Sequence, residues 1–292
     1  MSLSPPDQNA LNTLNDILPT EINRVRTFDY HHVGVRVERD HIVGIELQNQ
    51  QLADLPANFS QFSHLRHLDL GRNRFQTIPA VVSEITSLQS LNIHNNQITS
   101  LPLTLRKLIH LQSMRIGDNP LPEIPSWIGT EFMLLTLALN GLNLSKVPEW
   151  IKNSHSLHEL ILYNNEIDIL PDWIGNFPQL VALTLGKNQL SDLPPTIGRL
   201  TSLQEFSAFQ NHLSHLPESF TELRNLRECN LSGNNLEDLP ETFGQLQSLD
   251  YLTLSDNKLK GLPESITKIS HLKSLWLQDN SLIITPAIQE WI

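Results

Sequence analysis

Residues 180–202 read LVALTLGKNQLSDLPPTIGRLTS, and the reading of this 23-residue stretch decides the fold. Leu183 and Leu185 alternate with polar neighbours after Leu180, the period of a strand that buries one face. Asn188 follows, with an amide that both donates and accepts, suited to backbone groups left unpaired as the chain exits the strand. The second half carries Leu193, Pro194, Ile197 and Leu200, a three-residue spacing that fits a tight 3₁₀-like or short helical return better than a long α-helix.

The same unit recurs on both sides. From Ile42, an apolar residue opens a unit at Leu65, Leu88, Leu111, Leu134, Leu157, Leu180, Leu203, Leu226, Leu249 and Leu272, always 23 residues on. Fourteen residues after each opening position stands a proline, from Pro56 to Pro286, so eleven of the eighteen prolines share one register. Asparagine stands eight residues after the opening position in nine units, with Gln50 and Leu142 as the exceptions. One unit cannot bury its own apolar edges, so the coils must stack, with parallel strands and a buried asparagine ladder.

This pattern resembles the leucine-rich-repeat family, in the 23-residue form typical of intracellular Ras-interacting and of bacterial or archaeal repeat proteins. The resemblance covers the chain from about residue 42 onward. It implies an α/β solenoid, a horseshoe with a parallel sheet on its concave face and short 3₁₀ or helical returns on its convex face, commonly used to bind proteins. The motif is specific for fold and nearly silent on biology.

The expected organisation is an N-terminal cap over residues 1–41 and repeats over 42–292, ten full units and a truncated eleventh. In the cap, Ala10, Leu11, Leu14, Ile17 and Leu18 recur at helical spacing after Asp7. Val33, Val35 and Val37 alternate like a strand before a turn at Arg39 and Asp40. After Pro286 only Ile288, Trp291 and Ile292 are available as a lid. Either they suffice, or the chain dimerises there or continues in a longer protein.

A net charge of −11 disfavours nucleic-acid backbones and anionic membranes as the main partners. The single cysteine, Cys229, occupies a leucine register and reads as a core residue rather than a nucleophile. Residues 1–20 lack an apolar secretory core, and no apolar run is long enough to span a bilayer, so a cytoplasmic location is expected. The Asn58, Asn143 and Asn230 glycosylation sequons then read as chance. No phosphate-cradling glycine loop, nucleophile elbow or zinc-protease motif is present, so no catalysis, cofactor or metal is expected. His155, His158 and Glu159 straddle a strand start and need not converge. His64, His110 and His271 share a register but sit too far apart along the stack for one site, and His31 and His32 show no partner.

Function must therefore lie in residues the repeat does not dictate. The third, fifth and seventh positions of each unit should face concave solvent. There, Ile161, Tyr163 and Phe209 form an apolar cluster in which Gly186 leaves a notch between the rings. Arg115, Glu159, Glu205 and Glu228 surround it, and the carboxylates favour a partner with Lys or Arg around an apolar centre. Tyr251 and Trp276 form a second group near the C-terminal end. The expected function is a protein-interaction scaffold in intracellular signalling or regulation, centred on Tyr163 and Phe209. Alternatives are a targeting or regulatory piece of a larger ligase, kinase or GTPase, and a self-assembling structural protein.

Trp127, Trp150 and Trp173 share a register two residues after the proline, as a packing ladder or a second binding surface. The post-proline row Glu149, Asp172, Glu218, Glu241 and Glu264 suits the first turn of a short helix. Leu142 in the asparagine register marks a distortion, structural or functional.

Overall fold

The computed structural model describes residues 3–20, 22–25 and 33–291. The chain divides into two compact units, Met1–Leu142 and Asn143–Ile292. The division falls at the coil whose asparagine register holds Leu142.

In the first unit, helix α1 (Pro5–Ile17) begins at Ser4, whose Oγ accepts the Asp7 amide at 3.3 Å. Ala10, Leu11 and Leu14 are buried on its inner face, whereas Ile17 is exposed because the helix stops there and Leu18 turns into extended backbone. The buried Asp7 carboxylate accepts the Ile42 amide at 2.6 Å, tying the helix to the first coil. Strand β1 (Asn23–Arg24) pairs parallel with β2 (Gly34–Glu38), which pairs antiparallel with β3 (His41–Glu46). The intervening turn holds Arg39 and Asp40 at φ of 48° and 69°, the expected turn in left-handed backbone.

From β3 onward each strand is parallel to the next, through β4 (His67–Asp69), β5 (Ser90–Asn92), β6 (Ser113–Arg115) and β7 (Thr136–Ala138). Cα partners lie 23 residues apart, as in Leu68 with Leu91. The returns are 3₁₀ turns, except for one turn of α-helix, α2 (Ile128–Glu131). The second unit repeats the plan with β8 (Glu159–Ile161), β9 (Ala182–Thr184), β10 (Glu205–Ser207), β11 (Glu228–Asn230), β12 (Tyr251–Thr253) and β13 (Ser274–Trp276). All are parallel, and they are followed by helix α3 (Pro286–Trp291).

The asparagine ladder works as its chemistry requires. Asn188 Nδ2 donates to the carbonyls of Leu162 at 3.0 Å and Leu185 at 2.9 Å, while its Oδ1 accepts the Ile167 amide at 3.0 Å. Asn211, Asn234 and Asn257 repeat these contacts one coil at a time. Each amide therefore stitches its own coil to the preceding one.

Not all of the strand's outer positions reach solvent. Glu46, Asp69, Asn92 and Ala138, in the fifth-position row, are buried. Asp69 accepts from Gln48 Nε2, Asn92 Nδ2 and the Gly71 amide, at 2.7, 2.9 and 2.8 Å. Neighbouring coils lean over that row: a Cβ on Gly71 would meet the His94 ring at 2.6 Å. Burial, the largest influence, holds the His94 imidazole below its ordinary pKa.

At the far end, Ile288 of α3 is buried and Trp291 Nε1 donates to the Ile269 carbonyl at 3.3 Å. The lid is partial, since Leu272, Leu275, Leu277 and Leu282 remain half-exposed and Ile283 is exposed. Ile292, expected to join it, lies outside the described residues, as do His31 and His32.

Candidate binding face of the second unit

Parallel pairing at a fixed 23-residue offset aligns like positions of successive coils into rows across the sheet. In the second unit the fifth-position row runs Ile161, Thr184, Ser207, Asn230, Thr253, Trp276, and its middle four members are short and polar. The third-position row beside it carries Glu205, Glu228 and Tyr251 on adjacent strands. Short side chains between taller ones leave a depression of about 430 Å³, lined by Glu205, Glu228, Tyr251 and Trp276 over the floor of Thr184, Ser207, Asn230 and Thr253.

Glu205 and Glu228 are Cα partners on neighbouring strands, which lie about 4.8 Å apart in any sheet. Like charges directly opposite repel. Among the described residues no lysine or arginine forms an ion pair with either carboxylate. Burial, and then the charges of Glu228 and Glu159, push the Glu205 pKa above the ordinary carboxylate value. Tyr251 and Trp276 are 39% and 41% exposed, and Lys273 Nζ stands 5.7 Å from the Tyr251 ring centre while pairing with Asp250 at 3.1 Å. Two carboxylates without a paired lysine or arginine and two exposed aromatic rings, one of them already facing Lys273, thus meet in one depression, an arrangement that attracts a cation through both charge and ring quadrupole.

The residues singled out from the sequence fall into three places. Glu205, Glu228, Tyr251 and Trp276 line the depression together, so the aromatic pair expected to stand apart adjoins the acidic residues. Ile161, Tyr163 and Phe209 are half-buried on the same sheet, outside that lining, and Glu159 is half-buried on β8. The notch expected at Gly186 is filled: a Cβ there would lie 2.1 Å from Phe209 Cε1, so the ring already rests on the glycine. Arg115, half-buried at the end of β6, belongs to the first unit. The floor residues Thr184, Ser207, Asn230 and Thr253 were missed as a group. Their signal was present as a run of small polar residues in a single row.

Other features singled out from the sequence have local packing partners. Trp127 and Trp173 each pack edge to face on a phenylalanine of their own coil, Phe132 and Phe177, with ring centres 5.8 and 6.1 Å apart. Trp173 Nε1 also donates to Glu149 at 3.3 Å. In the post-proline acidic row, Glu149 pairs with Lys152 at 2.8 Å. Cys229 is buried, and that burial pushes its thiol pKa up, away from nucleophilic use. Among the described residues no three potential metal ligands converge, and no helix is long and apolar enough to cross a membrane.

Models of repeat families match most of the sequence. "Leucine-rich repeat region" matches residues 126–232, and "Leucine rich repeat" matches 41–98, 63–121, 238–282 and, in a further model, 225–246. Among solved structures, a leucine-rich-repeat protein of Leptospira interrogans is 33% identical with a TM-score of 0.76, over 82% of this chain and 62% of that one. A TDR receptor is 25% identical with a TM-score of 0.69, over 82% of this chain and 43% of the receptor. A plant peptide hormone receptor, RGFR1 in complex with RGF2, shares the fold at 22% identity and a TM-score of 0.58, over 86% of this chain and 52% of that one. The chain therefore spans about three-fifths of the Leptospira protein and about half or less of the two receptors. No curated protein sequence matches it significantly.

Proposed function

Because the chain belongs to the leucine-rich-repeat family, whose fold commonly binds proteins, we propose that it is an interaction module that docks a protein partner on the sheet face of its second unit, in intracellular signalling or regulation. The observation that carries this reading is the depression where Glu205 and Glu228 lack an internal cation beside the open rings of Tyr251 and Trp276. The partner presents a lysine or arginine next to an apolar group. Tyr163 and Phe209, with Ile161 and Glu159 beside them, extend the contact along neighbouring coils of the same unit. The plant receptor RGFR1, in complex with RGF2, supplies a precedent for ligand binding by this fold.

Two double variants test the reading. Tyr251→Ala with Trp276→Ala is expected to weaken capture of the main partner by about thirty-fold or more, since two aromatic anchors together contribute at least about 2 kcal/mol. Tyr163→Ala with Phe209→Ala is expected to have a smaller effect, because Phe209 already spends part of its surface on Gly186. Equal recovery by wild type and both variants in a quantitative pull-down removes the site.

The electrostatics predict an opposition between stability and binding. A carboxyl with a raised folded-state pKa holds its proton more tightly when folded, so its favourable contribution is present at low pH and is lost as pH rises past the ordinary value through the raised one. Glu205→Gln is therefore expected to stabilise the fold at neutral pH by on the order of 0.5 kcal/mol, small because the group is mostly solvated. The difference vanishes below about pH 4. The same variant weakens capture of the cationic partner. Urea unfolding at two pH values, set beside the pull-down, checks both signs, and a variant less stable than wild type at neutral pH contradicts the account.

A further inference from the structure

The flank of the first unit, just ahead of its strands, carries a different chemistry. The residue preceding each opening position runs His41, His64, Ser87, His110 in successive coils, and all four line one depression of about 690 Å³. The sequence had placed His64 and His110 too far apart to share a site. Ser87 stands between them in that register, and His41 continues the row on the other side of His64, just after the turn of the cap hairpin. Its ring stacks on His64 with centres 3.8 Å apart and planes 22° from parallel.

Arg39 and Arg66 also border the depression. Arg39 sits in left-handed backbone at φ 48°, a position where glycine or asparagine is favoured, and its exposed guanidinium stands at the rim. Ser63, Thr86 and Ser87 add hydroxyls, of which Ser87 Oγ donates to the Leu65 carbonyl at 2.7 Å and Ser63 Oγ lies 3.1 Å from His64 Nδ1, leaving their oxygens further hydrogen-bonding capacity. The one carboxylate in the lining, Glu38, is already held by Arg66 and by Arg36 at 3.8 Å. Behind the stacked rings, His41 Nδ1 is buried without a hydrogen bond, 3.6 Å from an Asp7 oxygen that is occupied by the Ile42 amide. In a chain of net charge −11, this depression gathers the Arg39 guanidinium, three imidazoles and three hydroxyls around one acid, Glu38, that Arg66 already neutralises.

We propose that this depression binds a phosphoryl group, as the free ion or on a phosphorylated side chain. A tetrahedral dianion offers acceptors in several directions at once, which suits forked guanidiniums, ring N–H groups and hydroxyls converging from several coils. The site lies in Met1–Leu142 and is independent of the protein-docking face proposed above.

The test is a titration of the full chain with inorganic phosphate, followed by NMR at the imidazole and backbone signals of residues 39–41, 63–66 and 86–89. Sodium chloride of matched ionic strength is the control. Saturable shifts with a Kd of about 1 mM or tighter are expected, and the double variant Arg39→Ala with His64→Ala, both exposed positions, is expected to weaken binding at least about tenfold while its circular dichroism stays unchanged. Shifts no larger than those with chloride, or equal affinity in the variant, overturn the proposal. A phosphoserine peptide distinguishes the source: tighter binding than inorganic phosphate assigns the site to a phosphorylated protein, and equal or weaker binding assigns it to the free ion.

Discussion

Replacing Asn188 with alanine is expected to lower the free energy of unfolding by about 2–4 kcal/mol, read as a fall in the urea midpoint. The side chain is buried, and its loss strips the Ile167 amide of the acceptor at 3.0 Å and takes one donor each from the carbonyls of Leu162 and Leu185. Those carbonyls keep a second donor, from Asn165 and Asn211 respectively, so the damage concentrates on the orphaned N–H. Asn188→Asp sharpens the test. It keeps the acceptor for Ile167 but turns an oxygen toward the same carbonyls, and is expected to destabilise at least as much at neutral pH. An unchanged midpoint in both variants would mean that the ladder contributes nothing to stability.

Gly244→Ala is expected to cost about 2–4 kcal/mol, although it adds one methyl group on a return segment. The new Cβ would lie 1.8 Å from the Ser265 carbonyl oxygen of the next coil, and backbone cannot swing aside as a side-chain tip can. Gly175 and Gly198 meet the carbonyl oxygens of Thr196 and Ser219 in the same way, at 2.3 and 2.2 Å. At Thr221, in the same register, the neighbour instead offers the Thr242 hydroxyl at 3.0 Å, so a side chain fits there. Gly261 is the control. Its Cβ would find only the Ile283 oxygen at 3.8 Å, so Gly261→Ala should change the thermal midpoint little or raise it slightly. Equal effects at Gly244 and Gly261 would rule out close approach of consecutive returns as the cause.

These two positions differ in how openly the sequence announces them. Asn188 declares itself through repetition, because its task involves the main chain and recurs in nine of the eleven units. The strands and 3₁₀ returns were legible for the same reason, whereas the burial of Ala10, Leu11 and Leu14 in the cap was read from local helical spacing. Gly244 was not legible, since the carbonyl it accommodates belongs to a residue 21 positions on, and a periodic pattern carries no coil-to-coil distance. Phe209 lay beyond reach for a related reason: a row position says which face a ring leaves from, and the direction in which it leans is set by the absence of a side chain at Gly186. Asp69 and Asn92, assigned to solvent by strict alternation, were covered by neighbours leaning the same way. On the binding face, the row assignments of Glu205, Glu228, Tyr251 and Trp276 were readable. Their union into one depression depended on the low floor of Ser207, Asn230 and Thr253, which comparing tall residues alone overlooks.

The constant 23-residue offset between Cα partners also governs how such a molecule tolerates change. Each coil hands its amides and carbonyls to the next at fixed places, so a one-residue deletion would throw every downstream rung out of step, whereas loss or gain of a whole coil preserves the fit. Most outward side chains of the second unit's third and fifth rows answer to no such constraint. The character of that surface can thus be rewritten one letter at a time on a frame whose length changes only in whole turns.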